Sequence, residues 1–487
     1  MAMDRRTVLR MAAAGAVAGP FAGLTAMPAQ ARRSPNPTQL GAVPDLRDGV
    51  VRLHLPSGFQ YRSFHDTEAP VILDDGTALP GRHDGMAAFD GRKKSIILVR
   101  NHEVNNPTRA FGPGTPYDAM GGGGTTTVVV DRYGNVEKSF TSLNGTMMNC
   151  SGGEMPWGSW ISCEETVNGP DVGPDFTGRP NIPLTQRHGY IFEVPASDDP
   201  AVGQSTRTPI RSAGRFCHES VAWDKRTGCL YLSEDNFAFP SGFYRYRPPR
   251  DPRRVGHLED GGTLQMLKVR GVDNAHLEAM QTAGQTYRVE WVDIEEPDFE
   301  YPYTPGETAP TTNDTALVHT SSQGWSQGAA YFSRLEGTIN SDGIIYFTST
   351  QGGGAAETVM QDSVAGFGNG SGQVWAYDPK RQTLRCVFQS SGPLVLDMPD
   401  NITTSPRGTL VVCEDSSGDN YLRGLSTDGQ LWDIALNRLN SSTGTPRFGD
   451  EFAGSTFDDS GHTLFVNIQA SRGLTFAIWG PWRSIGV

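Results

Sequence analysis

The chain has 487 residues and a mass of 52.7 kDa, enough for one large all-β domain or two to three domains of average size. Its 37% hydrophobic and 20% charged content describes a folded globular protein and argues against long disorder. A net charge of -13, from 41 basic and 54 acidic residues, weighs against a nucleic-acid partner, because phosphate backbones select basic surfaces.

The first element in chain order is a targeting segment. Arg5-Arg6-Thr7-Val8-Leu9-Arg10 reads as a twin-arginine signal, followed by a mildly apolar run from Met11 to Ala26 and an Ala29-Gln30-Ala31 cleavage site. Residues 1–31 are therefore expected to be a signal peptide and residues 32–50 a Pro-rich linker. The twin-arginine export machinery is then a partner, and the mature protein is expected in the periplasm or outside a bacterial cell. No later stretch has the length of a transmembrane helix. Six cysteines in so long a chain do not make a disulfide scaffold, and none has CxxC zinc spacing.

The first strand is expected near Val51–Tyr61. From there one pattern recurs six times: a short β run of buried character that closes in polar residues. It is found at Ser95–Glu103, Gly158–Glu165, Gly228–Asn236, Gly343–Gln351, Gly408–Asp415 and His462–Gln469. Most copies follow a turn such as Asp90-Gly91-Arg92, Ser341-Asp342-Gly343 or Asp458-Asp459-Ser460-Gly461. Partner strands are expected between them at Thr125–Val130, Tyr190–Val194, Phe243–Arg247, Val374–Tyr377 and Leu431–Ile434. Repeated small antiparallel units predict an all-β fold, a six-bladed β-propeller spanning residues 51–487 as one catalytic domain.

That architecture gives the repeat a chemical meaning. Equivalent strands of a propeller aim their ends at one central channel, so acids distant in sequence converge. Glu103, Glu164 or Glu165, Glu234 or Asp235, and Glu414 or Asp415 are expected to share a cavity. Carboxylates so crowded repel one another unless a multivalent cation neutralises them. Arg215–Glu219, Arg334-Leu335-Glu336-Gly337 and Met398-Pro399-Asp400-Asn401 each place a polar pair at the opening of a blade. Cys150 stands in what reads as a Gly-rich turn, Asn149–Gly153, followed by the corner Pro156-Trp157-Gly158. No GxSxG elbow, P-loop or HExxH motif occurs, and Asp362-Ser363-Val364-Ala365 is only faintly like the serine nucleophile segment of another phosphatase class.

Taken together, the segments NHE at 101–103, NCSGGEMPWGSWISCEET at 149–166, GRFCHES at 214–220, RLEG at 334–337, MPDN at 398–401, CEDS at 413–416 and LFVNIQASRGLTFAIWGPW at 464–482 resemble the PhoX-type alkaline phosphatases. The resemblance spans nearly the whole mature chain. It implies a twin-arginine-exported, six-bladed propeller carrying an iron pair (Fe3+) bridged by an oxo group together with several Ca2+ ions, and hydrolysis of small phosphomonoesters. Carried over, Cys150 would be a thiolate ligand of iron, and Glu103, Glu219, Glu336, Asp400 and Glu414 would supply carboxylates, with Glu164 a further candidate. Arg334 would clamp the phosphate, with Cys150 and Glu219 beside it at the reacting centre, and a metal-activated oxo or hydroxo group would attack phosphorus. The family commonly has Arg-Pro-Glu-Trp where this chain has Arg334-Leu335-Glu336-Gly337. The protein is expected to act as a monomer. Two other readings stay open: a calcium-dependent propeller hydrolase of lactones or phosphotriesters, and a non-catalytic propeller that binds a ligand in its channel.

Overall fold

A computed structural model describes residues 39–487 except 251–253, 255, 259 and 358–366. The twin-arginine segment and Asp362–Ala365 fall outside the described residues. Strands β1 (Gly41–Pro44), β2 (Val51–Leu55) and β3 (Gln60–Phe64) precede a first array of β4 (His83–Asp90), β5 (Ile96–His102), β6 (Gly123–Val130) and β7 (Val136–Thr146). The second array is β8 (Asn149–Met155), β9 (Ser159–Glu164) and β10 (Ile191–Pro195). The third is β11 (His218–Asp224), β12 (Cys229–Glu234), β13 (Phe243–Arg247) and β14 (Thr263–Val269), with β15 (Thr286–Ile294) beside it. Helices α1 (Asn313–Leu317) and α2 (His319–Ser326) lead into the fourth: β16 (Leu335–Ser341), β17 (Ile344–Ser349), β18 (Gln373–Asp378) and β19 (Thr383–Gln389). The fifth contains β20 (Pro399–Thr404), β21 (Leu410–Glu414), β22 (Tyr421–Leu425) and β23 (Leu431–Asn437). The last contains β24 (Glu451–Phe457), β25 (Thr463–Gln469) and β26 (Leu474–Trp479).

The arrangement is all-β and propeller-like. Hydrogen bonding sorts these strands into five sheets among the described residues, because β15 pairs with both β14 and β19 and joins the third array to the fourth. The first strands β4, β8, β11, β16, β20 and β24 pack side by side in that order, and β24 packs against β4, so they close a ring. Strand β3 completes the last array by pairing with β26, from Phe64 opposite Thr475 to Gln60 opposite Trp479. An early strand and the final strand thereby share one sheet.

Second strands such as β5 (IILVRNH) and β12 (CLYLSE) are buried along their whole length, since each sheet is covered on both faces. This is why they read as continuous apolar runs. Aromatic side chains fill the space between neighbouring arrays: Phe243 stacks on Phe347 at 4.2 Å, and Tyr231 lies 5.4 Å from Tyr377. The hairpin from β16 to β17 turns at Asp342-Gly343, both in the left-handed region, as a two-residue hairpin turn requires.

Two stretches differ from expectation. The segment expected as a linker contributes β1, which pairs with β2 from Gly41 opposite Leu55 onward. Its position is fixed by Arg52, whose guanidinium binds Asp45 at 3.0 Å and Asp48 at 2.7 Å. The expected Gly-rich turn around Cys150 is instead strand β8. Its glycines serve close approach: a Cβ on Gly152 would meet the Ile161 carbonyl oxygen at 1.9 Å, and one on Gly153 the Val221 carbonyl oxygen at 1.9 Å.

Candidate metal centre

The site is built by one device repeated around the ring. In β4, β8, β11, β16 and β20 the antiparallel register slips by one residue just after the strand begins, the signature of a β-bulge. His83 pairs with His102 but Met86 with Arg100, so Asp84 and Gly85 together face one partner residue. The same slip sets apart Cys150, Glu219, Glu336 and Asp400 in the other four strands. A bulge redirects the side chain of the extra residue, and here that residue is an acid or a thiol each time.

A second position repeats as well. The residue one step beyond each second strand donates its N–H to the carbonyl just before the bulged strand: Glu103 to Arg82, Glu165 to Met148, Asp235 to Cys217, Thr350 to Arg334 and Asp415 to Met398, at 2.9–3.1 Å. Arg82, Met148, Arg334 and Met398 have φ between 43 and 52°, a left-handed backbone that is unfavourable for these residue types. This crossover carries the second residue of each terminal pair toward the bulges.

Three overlapping groups of ligating atoms result, each spanning no more than 4.8 Å: Cys150 with Glu165 and Glu219, Glu219 with Glu336 and Asp400, and Asp400 with Asp415 and Glu451. All seven side chains are buried except the half-buried Asp415. Burial and the neighbouring carboxylates of Glu336, Asp400 and Glu165 push the Glu219 acid well above its usual range, and Glu336 is raised by burial and Asp235. Burial and then Asp415 lift Asp400 to about 7. The Cys150 thiol is pushed well up by burial first, then by Asp84, Glu219, Glu165 and Glu103.

These residues fit a cation. Both carboxylate oxygens of Glu219 are buried without a hydrogen-bond partner among the described residues, an expense a protein core does not normally carry. A multivalent cation would satisfy them, and a soft sulfur beside hard oxygens favours a transition metal at the Cys150 end. Arg334 lies at the edge of the same basin. Its Nε and Nη2 donate to Asp235 at 3.1 and 2.8 Å and Nη2 also to Glu336 at 3.0 Å, while the buried Nη1 has no partner among the described residues.

The sequence-predicted residues are distributed as follows. Cys150, Glu219, Glu336 and Asp400 lie in the three groups, with Arg334 in contact with Glu336. Glu103 is buried next to them, accepting from Asn105 at 2.7 Å and from Gln469. Glu164 and Glu414 are not in the groups; they turn to the opposite face. Glu164 accepts from the Met147, Gly189 and Tyr190 N–H groups and from His188 at 2.6 Å, and Glu414 from Arg423 at 2.9 Å and from the Asp397 and Tyr421 N–H groups. Each ties down the loop that follows its strand, and its lone pairs are taken. The neighbours Glu165 and Asp415 occupy the basin instead. Asp84 and Glu451 were missed: both stand at the start of their strands, not at the close of an apolar run.

An all-β propeller-like frame whose first strands and second-strand ends deliver six carboxylates and one thiol to a buried basin defines a propeller protein with a candidate metal centre. The particular family follows from sequence: residues 38–141 and 133–471 match the profile of Alkaline phosphatase PhoX, and the chain belongs to the PhoX family of alkaline phosphatases, enzymes that hydrolyse phosphoric monoesters. Among curated proteins no sequence matches the chain. Among solved structures it is similar to Pseudomonas fluorescens PhoX in complex with vanadate, a transition-state analogue, at 17% identity and a TM-score of 0.61, covering 91% of this chain and 97% of that one. A streptogramin B lyase (10% identity, TM-score 0.40, 87% and 98% covered) and a Xanthomonas campestris gluconolactonase (12%, 0.34, 91% and 99%) are more distant. Among the described residues no helix is long and apolar enough to cross a membrane.

Proposed function

We propose that this protein hydrolyses phosphomonoesters at the basin between Arg334 and the Cys150–Glu451 groups, with iron at the thiolate end and calcium among the carboxylates. In this reading the fold is a six-bladed propeller in which β15 bridges two blades, and the mature chain works as an exported monomer. The observation that carries the reading is the pairing of opposite needs: Glu219 offers two unsatisfied buried oxygens, and Arg334 offers an unsatisfied buried N–H donor, on either side of Glu336.

Metal ions held by Cys150, Glu165, Glu219, Glu336, Asp400, Asp415 and Glu451 would neutralise phosphate oxygens and activate a nucleophile, which is their usual service in such hydrolyses. The remaining work falls to the protein. Asp235 grips two nitrogens of Arg334 and fixes the plane of the guanidinium, leaving Nη1 to take a phosphate oxygen and to stabilise charge that develops as the ester bond breaks. Phe237, whose ring lies 5.9 Å from the Arg334 guanidinium carbon, keeps water off one face of the clamp.

The test is elemental analysis of the purified protein combined with assays on an aryl phosphate, a phosphotriester and a lactone. Bound iron and calcium, with aryl phosphate hydrolysis abolished by chelator, support the proposal. Calcium alone with triester or lactone turnover sinks it. Cys150→Ser separates the two ends of the basin: it is expected to fold, to lose iron and most of the phosphatase activity, and to keep calcium.

A further inference from the structure

A bulge leaves the backbone of its extra residue out of the ladder, yet a buried carbonyl needs a donor. In four of the five bulges that donor is a side chain from the second strand of the preceding array. Asn101 of β5 donates to the Ser151 and Cys150 carbonyls at 2.7 and 3.2 Å. Ser233 of β12 donates to the Glu336 carbonyl, and Thr348 of β17 to the Asp400 carbonyl at 2.6 Å. Asn467 of β25 closes the circuit by donating to the Asp84 carbonyl at 2.6 Å. All four side chains are fully buried.

Their placement is systematic. Asn101, Ser233 and Thr348 are each the last residue but one of their strand, and Cys163 and Cys413 hold that place in β9 and β21. The position therefore carries a small polar or thiol side chain in five arrays. Asn101 is saturated: its oxygen also accepts from Trp160 and Ser162, both at 2.9 Å. A side chain with every hydrogen-bonding site engaged by the next array has little freedom, and it transmits that rigidity to the bulge it holds.

We infer that Asn101, Ser233, Thr348 and Asn467 are positioning residues of the metal centre, each setting the aim of the bulge carried by the next array. The inference rests on the proposed metal-dependent function. It states that ligand geometry is governed across array boundaries, so that loss of one hydroxyl weakens metal binding without removing a ligand. Outer-shell partners of this kind typically cost 10–100-fold in metal affinity when removed.

Thr348→Val keeps shape and removes the hydroxyl that donates to the Asp400 carbonyl at 2.6 Å and, more weakly, to the Gly337 carbonyl at 3.4 Å. Wild type and variant, purified with their metals, are dialysed against a graded series of chelator, and retained calcium and iron are measured. The expected result is a chelator midpoint for calcium lowered about 10-fold or more, restored by Thr348→Ser. Ser233→Ala, a smaller deletion, reads the same effect at Glu336 should the valine variant fold poorly. Thr463→Val is the control: Thr463 is equally buried and its hydroxyl donates to the Arg132 carbonyl at 2.7 Å, at the opposite end of β25 from Gln469. It is expected to lower the melting temperature and leave the midpoint unchanged. If Thr348→Val and Ser233→Ala lose stability as the control does but hold metal as wild type does, the hydroxyls are structural only and the inference is overturned. A wild type that retains metal but turns over no aryl phosphate refutes the phosphatase reading and leaves the positioning result intact; a wild type that binds neither metal refutes both.

Discussion

Glu219 belongs to two of the three ligand groups, so Glu219→Gln is the most informative single change. In the metal-free protein, burial and then the surrounding acids push the Glu219 carboxyl well above its usual range, which favours its neutral form. Glutamine has nearly the same shape and no charge, so the metal-free variant should match wild type within about 0.5 kcal/mol, the usual scatter of innocuous substitutions. The metal-loaded proteins should differ. Ligand stabilisation is about 4.1 kcal/mol at a metal concentration 1,000-fold above Kd, and a 100-fold loss of affinity reduces it by about 2.7 kcal/mol. For a chain of 487 residues, at roughly 2.1 cal/mol/K per residue, the unfolding entropy is on the order of 1 kcal/mol/K, so the metal-dependent rise in Tm should shrink by about 3 °C. Differential scanning calorimetry with and without chelator reads both quantities. Equal metal-dependent shifts in the two proteins, with equal retained iron and calcium, would refute Glu219 as a ligand and remove the centre of the basin.

Arg334→Lys keeps the charge but loses the planar fork that Asp235 holds, so kcat/KM for an aryl phosphate should fall about 100-fold with metal content unchanged; a change under twofold argues against the clamp. Gly153→Ala should cost about 2 kcal/mol or more in unfolding free energy, since its Cβ would meet the Val221 carbonyl oxygen at 1.9 Å, and a variant as stable as wild type in urea would contradict that packing. Burial alone would depress His188, but Glu164 and Asp118 raise it to about 9. Because its folded value exceeds the unfolded one, its contribution is full below about pH 6.5 and is lost as pH rises through about 9, worth on the order of 3 kcal/mol. Denaturation between about pH 6 and 10 should show this loss in wild type and not in His188→Gln.

The second strands were legible because each is sandwiched between neighbouring arrays, so its sequence is largely apolar and closes in polar residues. The first strands were not. Segments such as Asn149–Met155 read as turns because glycine signals chain reversal when seen locally. Here glycine answers to a neighbour distant in sequence: a Cβ on Gly85 would lie 2.5 Å from the Ser151 Cα, one on Gly337 2.5 Å from the Ile402 nitrogen, and one on Gly454 2.3 Å from the Asp84 carbonyl oxygen. Inner strands of a ring converge until backbone meets backbone, and no periodicity within one strand records that. The choice between adjacent acids had a readable answer that local inspection passes over. Successive strand residues face opposite sides, so Glu164 and Glu165 cannot serve one basin together. Aligning Asn101-His102-Glu103 with Cys163-Glu164-Glu165, Ser233-Glu234-Asp235 and Cys413-Glu414-Asp415 puts Glu103 level with the second acid of every pair, and puts Asn101 level with Ser233 and the two cysteines. Read as four copies of one tripeptide, the repeat assigns three tasks to three consecutive positions: a hold on the next array, a tie to the following loop, and a group delivered to the basin. The buried partners of Asn101, Glu164 and Glu414 match the first two tasks, and Glu165 and Asp415 match the third.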